Sequence, residues 1–387
     1  MRVGIITTSY PRFAGDFAGS FVADLASALC RAGIAVEVWA PHAPGLAERE
    51  HADGVTVRRF RYAPGPLERV AYGDGIANNL RRHPSAALGL PGFVRALKRA
   101  GRQAAASCDL VHVNWAQTAA MVAEPRMAVP MVVTVHGTDV RLAKEGGRML
   151  RELRRGLAFP PVAEVIAVSE ELAADLRELA PRLRDVTVVP TGVEAELLGR
   201  ERLVRHAKGP LRVVYVGRLL QSKGVHDLVE AFMALQRDAV LTVVGGGPQE
   251  GPVAWRFMEA GLEEKVRILG AVPRPAALEE MADADVVVVP SRAEGCGVVA
   301  IEASALGVPV IATRVGVHPE LLRHEEQLFE PGDVAGLTAR LRRMADDPWL
   351  RRRLGEEARG RVERSYTWDV LASRIAEVYR RALEGSA

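Results

Sequence analysis

The feature that most narrows what this chain can fold into is a rhythm. Short apolar, β-branched runs recur (RVGIITTS, AVEVWA, LVHVNW, MVVTVH, EVIAVS, VTVVP), each closed by a polar or glycine-containing turn and most followed by helical spacing. Strands that read as continuous apolar runs are buried on both faces, and their alternation with helices specifies βαβ units and parallel sheets. The rhythm pauses across TGVEAELLGRERLVRHAKGP (Thr191 to Pro210), then restarts with LRVVYVG, LTVVGGG, VRILG, DVVVVPS and VPVIAT. A chain of 387 residues is long enough for two domains, each with its own core. The sequence therefore predicts two Rossmann-like α/β domains joined near residues 195–210. The first spans 1–195 and the second 196–368, and the last helical segment, 369–387, is expected to pack back on the first.

Composition removes several function classes. A formal net charge of +3 is too small to argue for nucleic acid, and no zinc-finger, RNP-like or basic-zipper pattern occurs. The three cysteines, Cys30, Cys108 and Cys296, show no CxxC spacing, which fits free thiols in a reducing compartment. No apolar run reaches transmembrane length, and the first apolar run is too short for a signal-peptide core. The expectation is a cytoplasmic protein, with the inner face of a membrane as a second placement. That second placement rests on residues 55–102, where ten cations (Arg58, Arg59, Arg61, Arg69, Arg81, Arg82, Arg95, Lys98, Arg99, Arg102) face two acids, Glu68 and Asp74. Interleaved with LPGFVRAL, they suit anionic lipid or a phosphorylated acceptor, and equally a solvated helix face.

In open α/β sheets ligands bind at the carboxyl ends of the strands, so the informative residues follow the apolar runs. After the first run Gly19 precedes a helix whose N-terminus suits an anion. After MVVTV stands HGTD, His136 to Asp139. After LRVVYV come Gly217, Arg218 and Lys223, and a guanidinium and an ammonium at a strand end suit a diphosphate. Taken alone, that pair reads equally as surface cations. GxxxxGK[ST] is absent, and the glycine run Gly245–Gly247 lacks the full GxGxxG pattern.

The densest signal is EGCGVVAIEASALG. Gly295 and Gly297 relieve crowding around Cys296, so that N–H groups near Val298 are free to face a sugar hydroxyl or a phosphate. Glu294 suits sugar hydroxyls. Glu302, eight residues on, suits the vicinal diol of a ribose.

Here the chain resembles the family 4 retaining glycosyltransferases of the GT-B fold. That family carries an acid–glycine–x–glycine loop with a second glutamate eight residues after the first, as Glu294 and Glu302 stand. It carries an arginine and a lysine five residues apart, as Arg218 and Lys223 stand, and a histidine–glycine–x–aspartate turn like HGTD. YPRFAGDFAGSF is similar to its N-terminal glycine loop, with one glycine at the helix start, Gly19, where many members have two.

The resemblance implies two Rossmann-like domains facing across a cleft and a nucleotide-sugar donor that is UDP-, GDP- or ADP-linked. It implies a hydroxyl acceptor, soluble or lipid-linked, bound by the first domain. It also implies front-face retention with neither cofactor nor metal, His136 beside the donor sugar's hydroxymethyl group, and Asp139 ordering its loop. Asp283 and Asp285 form a DxD, but they precede an apolar run instead of following one, so no metal is assigned to them. The base is expected to be read by backbone around Gly270 to Pro273. Three alternatives stay open: a GT-B sugar phosphorylase, a nucleotide-sugar epimerase, and a non-catalytic sugar-nucleotide-binding protein.

Overall fold

A computed structural model describes residues 1–73, 76–125, 127–183, 185–199 and 209–385. Most of the expected join (200–208) and Asp74 of the basic segment lie outside the described residues. The chain divides into two compact units, Met1–Pro190 with Trp368–Ala387, and Thr191–Thr367.

The first unit holds β1 (Arg2–Ile6), β2 (Ala35–Pro41), β3 (Arg49–Ala52), β4 (Val55–Phe60), β5 (Leu110–Asn114), β6 (Met131–Val135), β7 (Val162–Ala167) and β8 (Val186–Val188). They form one sheet in the order β3-β4-β2-β1-β5-β6-β7-β8. Every neighbouring pair is parallel except β3 with β4. The charged run Arg-Glu-His-Ala makes β3 a short, polar edge that discourages further pairing.

β4 alternates: Val55, Val57 and Arg59 face inward. Arg59 is buried because its guanidinium reaches Glu50 at 2.5 Å and the Pro11 carbonyl at 2.6 Å.

The helix Trp368–Glu384 packs against the helix Ser20–Arg31 and buries Trp368, Leu371, Ile375 and Tyr379. Tyr379 Oη lies 2.7 Å from His112 Nδ1, and Thr134 Oγ1 lies 2.7 Å from His112 Nε2. Burial pushes the His112 ring down to about 4, so it stays neutral.

The second unit holds β9 (Leu211–Val216), β10 (Ala239–Val244), β11 (Val266–Gly270), β12 (Val286–Val289), β13 (Val310–Thr313) and β14 (Leu328–Phe329). Its sheet is parallel throughout, in the order β11-β10-β9-β12-β13-β14.

Apart from the antiparallel β3–β4 edge, each sheet has one place where strand order reverses, between β1 and β5 in the first unit and between β9 and β12 in the second. Loops leaving such a pair diverge to opposite faces and open a crevice at the carboxyl edge. Gly19 lies in the segment after β1, and Arg218 and Lys223 follow β9. The Glu294 loop follows β12, and His136 follows β6, next to β5. Among the described residues no helix is long and apolar enough to cross a membrane.

Candidate active site

In the second unit the β9 and β12 loops are bonded together. Arg292 N–H donates to the Ser222 carbonyl at 2.9 Å. Lys223 Nζ donates to Glu294 Oε1 at 2.6 Å, and Ser291 Oγ donates to the same oxygen at 2.7 Å. Burial opposes ionisation of Glu294, but the Lys223 ammonium, the His318 ring and these two hydrogen bonds outweigh it, so the carboxyl lies below its usual range. Two residues found separately in the sequence are thus one ion pair. Arg218 is exposed at the start of the same crossover, and its carbonyl accepts from Tyr215 Oη at 3.1 Å.

The helix Val298–Ala305 begins at Gly297, whose φ is +86°. An L side chain is strained there, and a Cβ at this position would collide with the His318 imidazole. His318 is fully buried; its Nδ1–H donates to the Thr313 carbonyl at 2.9 Å, which leaves Nε2 an acceptor without a partner among the described residues. Burial first, and the Lys223 charge after it, outweigh the pull of Glu294 and keep this ring below its ordinary value. The first N–H groups of the helix have no intrahelical acceptor, and the axial dipole makes that end attractive to an anion.

The Cys296 side chain turns inward instead. Its Sγ accepts from Thr191 N–H at 3.2 Å, and burial pushes the thiol up to about 12. It stays protonated and contributes its backbone to the loop.

Glu302 lies on the same helix, buried, with Oε1 accepting from Arg274 Nε at 2.8 Å. Arg274 opens the helix Arg274–Ala282 directly after Gly270–Pro273. The expected ribose carboxylate and the expected base-reading segment are therefore joined through a residue the sequence did not single out. Asp283 ends that helix, and Asp285 Oδ2 accepts from Arg212 N–H at 2.9 Å, so the DxD closes a helix and opens β12.

In the first unit Gly19 has φ +72°, and a Cβ there would collide with the Ser9 carbonyl. His136 Nε2 lies 2.8 Å from Asn114 Oδ1, and its ring sits 4.8 Å from Phe21 and 5.1 Å from Trp115, centroid to centroid. Burial, then the neighbouring His112, push His136 down to about 3. The ring is neutral, Nε2–H donates to Asn114, and Nδ1 presents a lone pair. Asp139 is buried and accepts from the N–H groups of Gly137, Val140 and Ala116 at 3.0, 3.2 and 3.2 Å.

Burial dominates those bonds and pushes Asp139 up to about 6 from 3.8. A raised carboxyl pKa stabilises the fold fully below about pH 4, and that contribution is lost as pH rises through about 6. The shift corresponds to about 3 kcal/mol. Denaturant titrations of the wild type and Asp139→Asn between pH 4 and 7 are expected to show this loss only in the wild type. Parallel pH profiles would contradict it.

The basic segment is less charged than its sequence implies. Arg58, Arg59, Arg61 and Arg102 pair with Glu37, Glu50, Glu48 and Glu124. On the helix Leu90–Ser107, Phe93 and Leu97 are fully buried in the core, leaving Arg95, Lys98 and Arg99 exposed. Among the described large apolar residues of 55–102, Leu88 is exposed at 75% and Leu67 at 39%.

Two parallel-sheet α/β units with polar residues gathered at the strand carboxyl ends place the chain in the GT-B class. Sucrose-phosphate synthase from Thermosynechococcus elongatus shares the architecture with a TM-score of 0.79 and 25% identity, over 99% of both chains. HepE of Anabaena, solved in complex with UDP-glucose, aligns with a TM-score of 0.73 and 19% identity over 98% of this chain and 99% of its own.

Residues 18–197 match the family model Glycosyltransferase Family 4, and residues 202–361 match Glycosyl transferases group 1. A glycogen synthase of Mycobacterium tuberculosis is 30% identical over 100% of this chain and 96% of its own. The chain belongs to glycosyltransferase family 4, and it is a glycosyltransferase.

Proposed function

We propose that this glycosyltransferase moves a sugar from a nucleoside-diphosphate donor to a hydroxyl acceptor with retention at the anomeric carbon and without a metal. The observation that carries this reading is the joined β9 and β12 loops, where Lys223, Glu294 and the Gly297 helix start meet at a strand-order reversal. The UDP-glucose held by HepE supports the donor class.

In this reading the diphosphate lies against Arg218, Lys223 and the N–H groups of Gly297 and Val298. The ammonium has three N–H bonds, so it can keep Glu294 while donating to phosphate. The acceptor oxygen bonds to the anomeric carbon as the bond from that carbon to phosphate oxygen breaks. The hydroxyl proton passes to the departing phosphate on the same face. Arg218, Lys223 and the helix dipole stabilise the charge that develops there. Glu294 orients sugar hydroxyls, Glu302 holds the ribose diol, and in the first unit Nδ1 of His136 accepts from a sugar hydroxyl.

Transfer is expected to survive EDTA, and the product's anomeric proton coupling by NMR is expected to match the donor's. Activity lost on chelation and restored by manganese or magnesium would overturn the metal-free reading. Inverted coupling would overturn retention.

A further inference from the structure

The loop after β12 is gripped from two sides. Lys223, after β9, holds Glu294 from one of them. The other is a segment to which the transfer reading gives no role: Thr313 closes β13, and 314–317 lead into the short helix His318–Leu322. Thr313 Oγ1 donates to the Ser291 carbonyl at 2.6 Å, and Val317 N–H donates to the Cys296 carbonyl at 3.2 Å.

The two segments also interlock. A Cβ on Gly316 would press on Glu294 Cβ at 3.0 Å, and a Cβ on Gly297 would collide with His318 Nε2. Each loop thus omits a side chain where the other inserts one.

His318 is an unfavourable choice if packing is its whole role. An aliphatic side chain would fill buried space without leaving Nε2 an acceptor that has no donor among the described residues. What the imidazole adds is direction. Nδ1–H is tied to the Thr313 carbonyl at the end of β13, so the rigid ring presents its other nitrogen to Gly297. Burial disfavours a proton on that nitrogen, which leaves a lone pair against the positive end of the helix Val298–Ala305.

The consequence falls on the first turn of that helix. The N–H groups of Gly297 and Val298 point where the Gly297 backbone sends them, and a glycine by itself does not confine its backbone. The His318 ring does so from behind. Donors aimed at a phosphate act fully only when they are fixed before the ligand arrives.

We propose that His318 is a positioning residue of the donor site: by bearing on Gly297 it fixes the direction of the Gly297 and Val298 N–H groups, and so sets how strongly the site prefers a diphosphate to a monophosphate. It rests on the donor reading, in which those N–H groups face the diphosphate.

Calorimetric titration of the full chain with UDP, GDP and ADP finds the diphosphate that binds, and the matching monophosphate is titrated beside it. The wild type is expected to bind the diphosphate more tightly. Asparagine ends where Nδ1 stands, so it reaches Thr313 but not Gly297, whereas glutamine ends where Nε2 stands and reaches Gly297. His318→Asn should cut the preference for diphosphate at least fivefold and leave monophosphate affinity within twofold of the wild type. His318→Gln should keep at least half of the preference. A residue that only stabilised the fold would leave the ratio of the two affinities unmoved.

Gly297→Ala reads the same contact from the other side. It should weaken the diphosphate at least tenfold with His318 in place, and at least threefold less in the His318→Gln background, where a flexible end can yield. Full wild-type preference in His318→Asn, equal loss of both nucleotides, equal loss of preference in the asparagine and glutamine variants, or an equal effect of Gly297→Ala in both backgrounds would each overturn this role while the donor reading stands. Failure of every diphosphate to bind the wild type would remove the donor reading, and the role of His318 with it.

Discussion

Replacing Lys223 with alanine is expected to lower turnover by about 10²–10³-fold, the scale seen when a donor to developing charge is removed. The variant needs a partner to be interpretable. Lys223 is bound to Glu294 at 2.6 Å, and the Glu294 side chain is 12% exposed, so deleting the ammonium strands a buried carboxylate. The double variant Lys223→Ala with Glu294→Gln removes that liability. A lysine that serves only to neutralise Glu294 would be dispensable once that charge is gone, and the double variant would turn over like Glu294→Gln alone. A lysine that holds the leaving phosphate would stay essential, and the double variant would remain at least 100-fold below Glu294→Gln, as this account requires. Arg218→Ala, at an exposed position, should give a comparable loss with little change in stability.

The two glutamates are expected to fail differently. Glu302→Ala should weaken nucleoside-diphosphate binding by about 10–150-fold, the equivalent of one charged hydrogen bond at 1.5–3 kcal/mol. Turnover at saturating donor should hardly change, because a ribose contact is the same in ground and transition states. Arg274→Ala should reproduce part of that loss by releasing the Glu302 carboxylate from its 2.8 Å contact. Glu294→Ala should reduce turnover more than donor affinity, since misplacing the sugar costs alignment at the reacting carbon. Steady-state kinetics paired with calorimetric titration of the nucleoside diphosphate measure both. A Glu302→Ala variant that binds nucleotide like the wild type would remove the ribose assignment.

Eleven of the fourteen strands among the described residues correspond to the apolar runs read from the sequence, because parallel strands buried on both faces leave an uninterrupted signature. The three that escaped lacked it. β3 is charged, β14 is two residues long, and β4 carries Arg58 and Arg59 and was read as part of a basic surface. Burial of Arg59 depends on Glu50, nine residues upstream on the antiparallel neighbour, and on the backbone of Pro11.

The site shows the same division. Strand-end position and residue type brought out Lys223, Glu294 and Glu302, but their partners are set by strand order, which periodicity does not encode. Lys223 and Glu294 are 71 residues apart, and they meet because β12 lies beside β9 and not beside β11. Arg274 and His318 gave no local signal, since the partners that define them are brought together only by the fold.

The central claim is that the joined β9 and β12 loops hold the diphosphate of a sugar donor. Isothermal titration of the full chain with UDP, GDP and ADP in EDTA tests it most directly. The account predicts saturable binding of at least one of the three, weakened tenfold or more in the Lys223→Ala, Glu294→Gln double variant. Binding that this variant leaves unchanged, or no binding of any of the three, would contradict it.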